Sequence, residues 1–522
     1  MWKIALLPLD SRPCCQQFPQ LIANIAGAKL VTPQIELLGK FTEPGSCEAV
    51  SSWLRSAAEE ADGIVVSADQ LAYGGLIASR THDRTLEDAL RTLDVLRDIK
   101  TRYPAKPIYV SSVLMRIGIT GKNAQFAQYL QLVFEYCQLH DRINRLKETG
   151  LEEPFKRVKE QIPEEVLSDF FKARERNMHI HKLLIDWAAS GAIDFLTITQ
   201  EDASPVGLHV SEQYELQRYI YERSVQAKTM IYPGADEAAQ TLLARLLQNL
   251  QQKRIKVYPQ FTSESAKLAV APYEDRPINE SVKLHLWAAG AIVVETPNEA
   301  DFILSVSAPM NHASMPASGL RTAFFDSRHM LTDLVEKVKY DLSAGRRVAI
   351  ADVGLPNTAD IELIQYLLDE RLFTQLSGYA GWNTAGNALG TCIAHAVART
   401  LNDKDDGENS KEADHAHYSF LMSRLMDEWG YQAKVRDQVN DWVTKHTSVS
   451  PWNLESDYEV VNEQAVLRMN DLFAAVKQRL LEAQQASAAA GCREWIDAEL
   501  TFVQLPWNRT FEIDVRVEVK LK

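Results

Sequence analysis

The chain has 522 residues, 46% hydrophobic and 24% charged, with a formal net charge of -14. That length exceeds what one core usually holds and predicts two or three domains. The acidic balance argues against nucleic acid and against anionic membrane as main partners, since both require a basic face, and no stretch approaches the ~20 apolar residues of a spanning helix.

The opening segment, MWKIALLPLDSRP, has no long apolar run and breaks at Pro8 and Asp10, so it reads as a strand rather than a signal peptide. The cysteines, at 14, 15, 47, 137, 392 and 492, show no CxxC pairing. Adjacent Cys14 and Cys15 suit neither a usual disulfide nor a zinc knuckle, and the set reads as reduced, buried thiols of a cytoplasmic protein.

Short β-branched runs closed by Pro, Gly, Asp or Asn then recur along the chain. They are KIALLPLD (3–10), AKLVTP (28–33), DGIVVSAD (62–69), PIYVSSV (107–113), DFLTITQED (194–202), KTMIYPGAD (228–236), RIKVYPQF (254–261), AIVVETP (291–297), DFILSVSAP (301–309), RVAIADVG (347–354) and QLSGYAGWN (375–383). Such runs mark buried parallel strands. Amphipathic stretches lie between them, among them 83–103, with Leu86, Leu90, Leu93 and Leu96 on one stripe, and 235–253. Strand and helix in alternation predict an α/β protein. Eleven strands exceed one eight-stranded barrel, so two doubly wound domains are expected, with a (β/α)8 barrel plus an added domain as the alternative. The expected division is an α/β domain at 1–210 with a helical insertion at about 120–190, a second α/β domain at 211–402, and a mainly helical region at 413–522 ending in a strand. The polar run 402–417, NDKDDGENSKEADHAH, reads as a surface loop.

Ligands of such sheets bind at the carboxyl ends of the strands, and here those ends are rich in polar side chains. They read PLDSRP (8–13), SADQLAYGGLIASR (67–80), TQEDASPVG (199–207), YPGADE (232–237), ADVGLPNTAD (351–360) and YAGWNTAGN (379–387). Each Asp alone is as easily a turn residue or helix cap. Together they form a candidate site. Asp236 and Glu237 follow a strand and begin a helix, where neighbouring carboxyl groups can divide acid and base roles. Asp202, with Glu201 beside it, stands in an equivalent place. These three are the candidate catalytic groups. Asp10, Arg12, Asp69, Tyr73, Arg80, Asp352, Asn357, Trp382, Asn383 and Asn387 are the candidate substrate contacts. The guanidinium groups serve as clamps for anions, the amides as partners for hydroxyls, and the indole as a flat face for a sugar ring. The glycine-rich stretch SGYAGWNTAGNALG (377–390), followed by the apolar helical run CIAHAVARTL (392–401), also allows close backbone approach.

Metal ligation has little support. His179 and His181 fall in a helical pattern, where i and i+2 diverge, and His415 and His417 fall in the polar run. No HExxH or cysteine cluster occurs, so no metal residue is assigned, although a divalent cation on Asp10, Asp69, Asp202 or Asp352 remains an alternative. There is no GxxxxGK[ST], no GxGxxG after the first strand and no GxSxG.

Across nearly the whole chain, PLDSRP, SADQLAYGGLIASR, RERN (174–177), QEDASPVG, YPGADE, YAGWNTAGNALG and PWNRTFE (506–512) together resemble the bacterial family known as domain of unknown function 4127. That family often has PLDDRP where this chain has Ser11, and QDDA where it has Glu201, which favours Asp10 over position 11 for any essential role. The resemblance groups the motifs and implies no activity.

The residues themselves point to an enzyme acting on a carbohydrate or sugar-derived small molecule. The simplest form is a glycoside hydrolase that uses paired carboxyl groups and requires no cofactor. A divalent-metal-dependent isomerase, lyase or amidohydrolase is one alternative. A non-catalytic sugar or metabolite sensor is the other.

Overall fold

The computed structural model describes residues 1–119, 126, 128–308, 320–402, 408–488 and 493–522. All eleven predicted parallel strands form. They are β1 (Lys3–Leu7), β2 (Lys29–Val31), β3 (Gly63–Ser67), β4 (Ile108–Leu114), β5 (Phe195–Gln200), β6 (Thr229–Pro233), β7 (Lys256–Phe261), β8 (Ile292–Val293), β9 (Phe302–Ser307), β10 (Val348–Asp352) and β11 (Gly378–Ala380). They build two open sheets, ordered β2-β1-β3-β4-β5-β6 and β11-β10-β9-β7-β8, with every neighbour pair parallel. Read from the other edge, the second sheet repeats the order of the first five strands. Both are doubly wound, and among the described residues no barrel closes.

The runs lack polar alternation because both faces of the central strands are covered. Every residue of β3, β4, β5, β9 and β10 is buried. At the second sheet, helices 320–343 and Ile361–Asp369 supply Leu334, Val338, Leu363 and Leu367 against Ile303 and Ile350. At the first, Leu54, Leu93, Leu184 and Leu216 cover Val66, Val110 and Ile198. The stripe Leu86–Leu96 is carried by two helices, Leu86–Leu93 and Val95–Arg102, that meet at Asp94. The helical insertion has its own small core, with Val133, Cys137, Val158, Ile162 and Phe170. Its residues 120–125 lie outside the described residues.

Contacts divide the chain into two compact units. One comprises Met1–Ser11, Lys29–Leu242 and Tyr273–Asp275, and the other Arg12–Ala28, Leu243–Pro272 and Arg276–Lys522. The first contains the six-stranded sheet. The second contains the five-stranded sheet and the C-terminal region.

Two expectations about that region are corrected. Residues 408–417 of the polar run open a helix, Glu408–Arg424, rather than forming a loop. Its polar side chains are used inward: Asp414 takes Arg399 and Arg493, and His417 Nδ1 meets His395 Nε2 at 2.9 Å. The end of the chain is an antiparallel hairpin of β12 (Trp495–Gln504) and β13 (Asp514–Leu521), not a lone strand. Val515, Val517 and Val519 face inward as the alternation required. Between helices 408–424 and Arg436–His446, residues Leu425–Val435 form eleven residues of π-helix, an unusual length for a conformation that normally occurs as a single turn.

Cys14, Cys15, Cys47, Cys137 and Cys392 are buried thiols outside any disulfide, as expected. Cys492 lies outside the described residues. Among the described residues no helix is long and apolar enough to cross a membrane.

Candidate functional site

All six polar motifs leave the carboxyl ends of strands, four on the first sheet and two on the second. Asp10, Asp69, Tyr73, Arg80, Asp202, Asp236 and Glu237 belong to the first unit. Arg12, Asp352, Asn357, Trp382, Asn383 and Asn387 belong to the second.

In the first unit, PLDSRP and SADQLAYGG leave β1 and β3, the two strands between which the winding reverses. Asp10 is 2% exposed. Asp69 is buried one turn past β3, and its Oδ2 accepts the Val113 N–H at 2.9 Å. Its Oδ1 has no partner among the described residues. Burial, with the Glu201 charge adding to it, pushes the Asp69 carboxyl up to about 7. Tyr73 lies under the Arg176 guanidinium, 4.1 Å from the ring centroid.

Arg80 and Glu201 form a buried two-pronged pair, with Arg80 Nε donating to Oε2 at 3.2 Å and Nη2 to Oε1. Burial, with Arg116 nearby, brings the Arg80 pKa down to about 10. The RERN motif explains how Arg80 is held. Arg176 donates to the carbonyls of Ser79, Thr81 and Arg84 at 2.8–3.0 Å, and Asn177 Nδ2 donates to Ser79 O at 2.9 Å. The loop carrying Arg80 is thus fixed by side chains from helix Glu164–Ser190.

Asp202 is the more open member. Its side chain is 36% exposed and accepts from Arg116 Nη1 at 2.9 Å, while the Arg116 side chain is 25% exposed. Asp202 has φ of 43°, a left-handed conformation that few non-glycine residues adopt. The loop that imposes it is tied at several points: Gly207 N–H donates to Asp141 Oδ2 at 2.9 Å, and His209 Nε2 lies 3.0 Å from Ser204 N. Burial opposes the Arg116 charge, but Glu201 and Asp202 outweigh it and raise its pKa.

Asp236 is 5% exposed and Glu237 fully buried. Glu237 Oε2 accepts the Ala235 N–H at 2.9 Å, and its carbonyl accepts the Gln240 and Thr241 N–H groups of helix Ala238–Leu250. A Cβ at Gly234, whose φ is 138°, would run into that carboxylate. Glu237 therefore shapes the turn into the helix.

In the second unit, Asp352 ends β10, and its Oδ2 accepts Asp360 N–H at 2.7 Å and Tyr379 O–H at 3.2 Å. Burial, then the Asp360 charge, pushes Asp352 up to about 8. Glu428, on the π-helix, accepts from Gly381 N–H and from Arg424 Nη1 at 3.2 Å. It too is pushed up to about 8 by burial, with Arg424 opposing. Arg424 also pairs with Asp427 at 2.9 Å and stacks on Phe18, 3.5 Å from the ring centroid.

These contacts explain the glycine-rich turn. A Cβ at Gly381 would stand 2.7 Å from the Tyr379 hydroxyl and 3.0 Å from Asp352 Cβ, so the close approach there is to the protein's own side chains. Asn383 and Asn357 both adopt left-handed backbone, φ 72° and 61°, and are linked by Asn357 N to Asn383 O at 2.9 Å. Asparagine tolerates that conformation best after glycine. Trp382 is 7% exposed and packs on Phe511 with centroids 5.6 Å apart, so PWNRTFE does fold onto this turn. That packing takes the indole face away from solvent. Asn387 is buried on helix Ala385–Leu401. Arg12 stacks on Trp507 from 4.9 Å.

Arg116, Arg176, Glu428 and Arg424 were not among the sequence candidates. Arg116 follows β4 as Asp202 follows β5, so its place at a strand end was the available signal. Glu428 and Arg424 lie on a helical pattern and carried none.

No curated protein matches this chain in sequence. A family model described as protein of unknown function, DUF4127, matches residues 4–516, and the chain belongs to that family.

Proposed function

We propose that the protein is a cytoplasmic enzyme acting on a carbohydrate or sugar-derived small molecule, most simply a glycoside hydrolase, with its reaction site at the carboxyl edge of the first sheet. The observation that supports this reading is that two carboxyl groups at that edge stand in unlike environments. Asp202 is solvent-accessible and oriented by Arg116. Asp69 is buried and pushed up to about 7, so it holds a proton near neutrality. Divided environments of this kind separate acid from base roles. Asp202 serves as the base or nucleophile, the Arg80–Glu201 pair fixes its surroundings, and Asp69 supplies the proton reserve. Asp236 and Glu237 build the neighbouring turn.

The test is hydrolysis of a panel of nitrophenyl glycosides by the purified protein and by Asp202→Asn. The expected result is turnover whose kcat falls by about 10²–10⁴ in the variant, with denaturation unchanged. Turnover abolished by a chelator would move the reaction to a divalent cation. Ligand binding with no turnover would make the protein a sensor.

A further inference from the structure

We infer that the ligand of the first sheet's edge carries a carboxylate and that Arg116 is the residue that receives it, beside Gly118. The inference rests on the reading above only for the location of the site. Sugar acids such as uronates are the class that joins a carboxylate to a polyhydroxylated body.

Three features of Arg116 support it. First, one nitrogen of its guanidinium, Nη1, already holds a carboxylate, that of Asp202 at 2.9 Å, while its Nε is buried and has no partner among the described residues. An orphaned donor of this kind is costly to leave unmade, and the planar fork of an arginine fits a carboxylate through two nitrogens.

Second, Gly118 lies against that nitrogen. Among the described residues, a Cβ at Gly118 would meet only Arg116 Nε within 4 Å, at 3.7 Å. A larger side chain at 118 would therefore crowd the unused donor.

Third, the arginine is pre-set. Arg174 Nη1 donates to the Arg116 carbonyl at 2.8 Å, and the Cys137 thiol lies 3.7 Å from the Ile117 carbonyl. Arg174 is itself held by Glu212. A backbone tied on both residues aims the side chain without loss of freedom on binding.

Charge favours a monoanion over a phosphate. Arg80 and Arg116 face Glu201 and Asp202, two against two, and a dianion would add more uncompensated charge beside Glu201 than a carboxylate does.

The experiment is titration calorimetry of the full chain with sodium D-galacturonate and D-glucuronate, the parent neutral sugars, and galactose 1-phosphate, at one ionic strength. The variants are Arg116→Gln, Arg116→Lys and Gly118→Val. The expected result is at least about tenfold tighter binding of a uronate than of its neutral parent. Arg116→Gln should abolish that preference, Arg116→Lys weaken it, and Gly118→Val reduce it with Arg116 intact. Equal binding of uronate and parent, no binding of either, or a preference that survives Arg116→Gln overturns the inference. Tighter binding of the phosphate overturns the carboxylate assignment. Uronate binding without glycoside turnover would retain this inference and reject the proposed activity, and turnover of neutral glycosides without the preference would do the reverse.

Discussion

Two sheets of the same strand order present very different carboxyl edges. At the first, Glu201 and Asp202 each face an arginine, and Asp202 and Arg116 reach solvent. At the second, Asp352 and Glu428 are buried, pushed up to about 8, and closed over by Gly381, Tyr379 and a π-helix. A carboxyl group taken fully from water without a full complement of charge is better kept protonated. One near the surface opposite a guanidinium is free to exchange partners. The winding thus delivers polar loops to both edges, and exposure decides which edge can meet a ligand and which stiffens the fold.

The sharpest way to break this contrast is at Arg424, whose buried guanidinium serves both Asp427 and Glu428. Arg424→Ala leaves those groups uncompensated and is expected to cost about 3–5 kcal/mol in chemical denaturation. Loss of the half-exposed Arg116–Asp202 pair is expected to cost under about 1 kcal/mol. Equal losses would mean the first edge is as structural as the second.

Next in size is the response to pH. Asp352 and Glu428 keep protons in the folded chain that the unfolded chain has released, from the ordinary carboxylate range up to about 8. Their stabilising contribution is whole below that range and declines as pH rises, by about 1.4 kcal/mol per pH unit for each proton held. Denaturation midpoints measured between about pH 7 and 8, above the range in which the buried His181, His209, His395 and His417 act with the opposite sign, should fall, and Asp352→Asn should flatten the slope. Asp69 acts with the same sign at the first edge, so the slope should also persist, reduced, in Asp69→Asn. A midpoint that climbs with pH contradicts the assignment.

The smallest expected effect is at Trp382. Its Nε1 has no partner among the described residues and its ring rests on Phe511, so Trp382→Phe keeps the contact and should cost under about 1 kcal/mol by thermal denaturation. A larger loss would show that the indole edge does something at the second sheet that the packing does not.

The strands were legible because burial on both faces removes polar residues, and the turn residues closing each run are dictated by backbone geometry. The placing of the polar motifs at strand ends was legible for the same reason. The opening of helix 408–424, residues 408–417, was not, because Asp414 and His417 are buried through ion pairs and a histidine contact and leave no apolar stripe. Strand β12 was hidden by its exposure: Ile496 and Phe502 face out, which blurs the alternation. At the edges, the carboxyl groups were visible and their partners were not. Which arginine meets which acid depends on chain segments such as Arg80 and Glu201 that only the fold brings together.

One consequence concerns the order in which the protein is made. Helix Pro13–Ile25 emerges between β1 and β2 of the first sheet, yet it belongs to the second unit, where Phe18 packs on Phe420 and under Arg424. At about 5–20 residues per second, those partners leave the ribosome roughly 20–80 s after the helix does. Through that interval Phe18 is without those two partners, while the strands on either side can already pair. The second unit therefore joins an early segment to one made far later, and a nascent chain halted before residue 420 would leave Phe18 without these partners, where a chaperone could hold it.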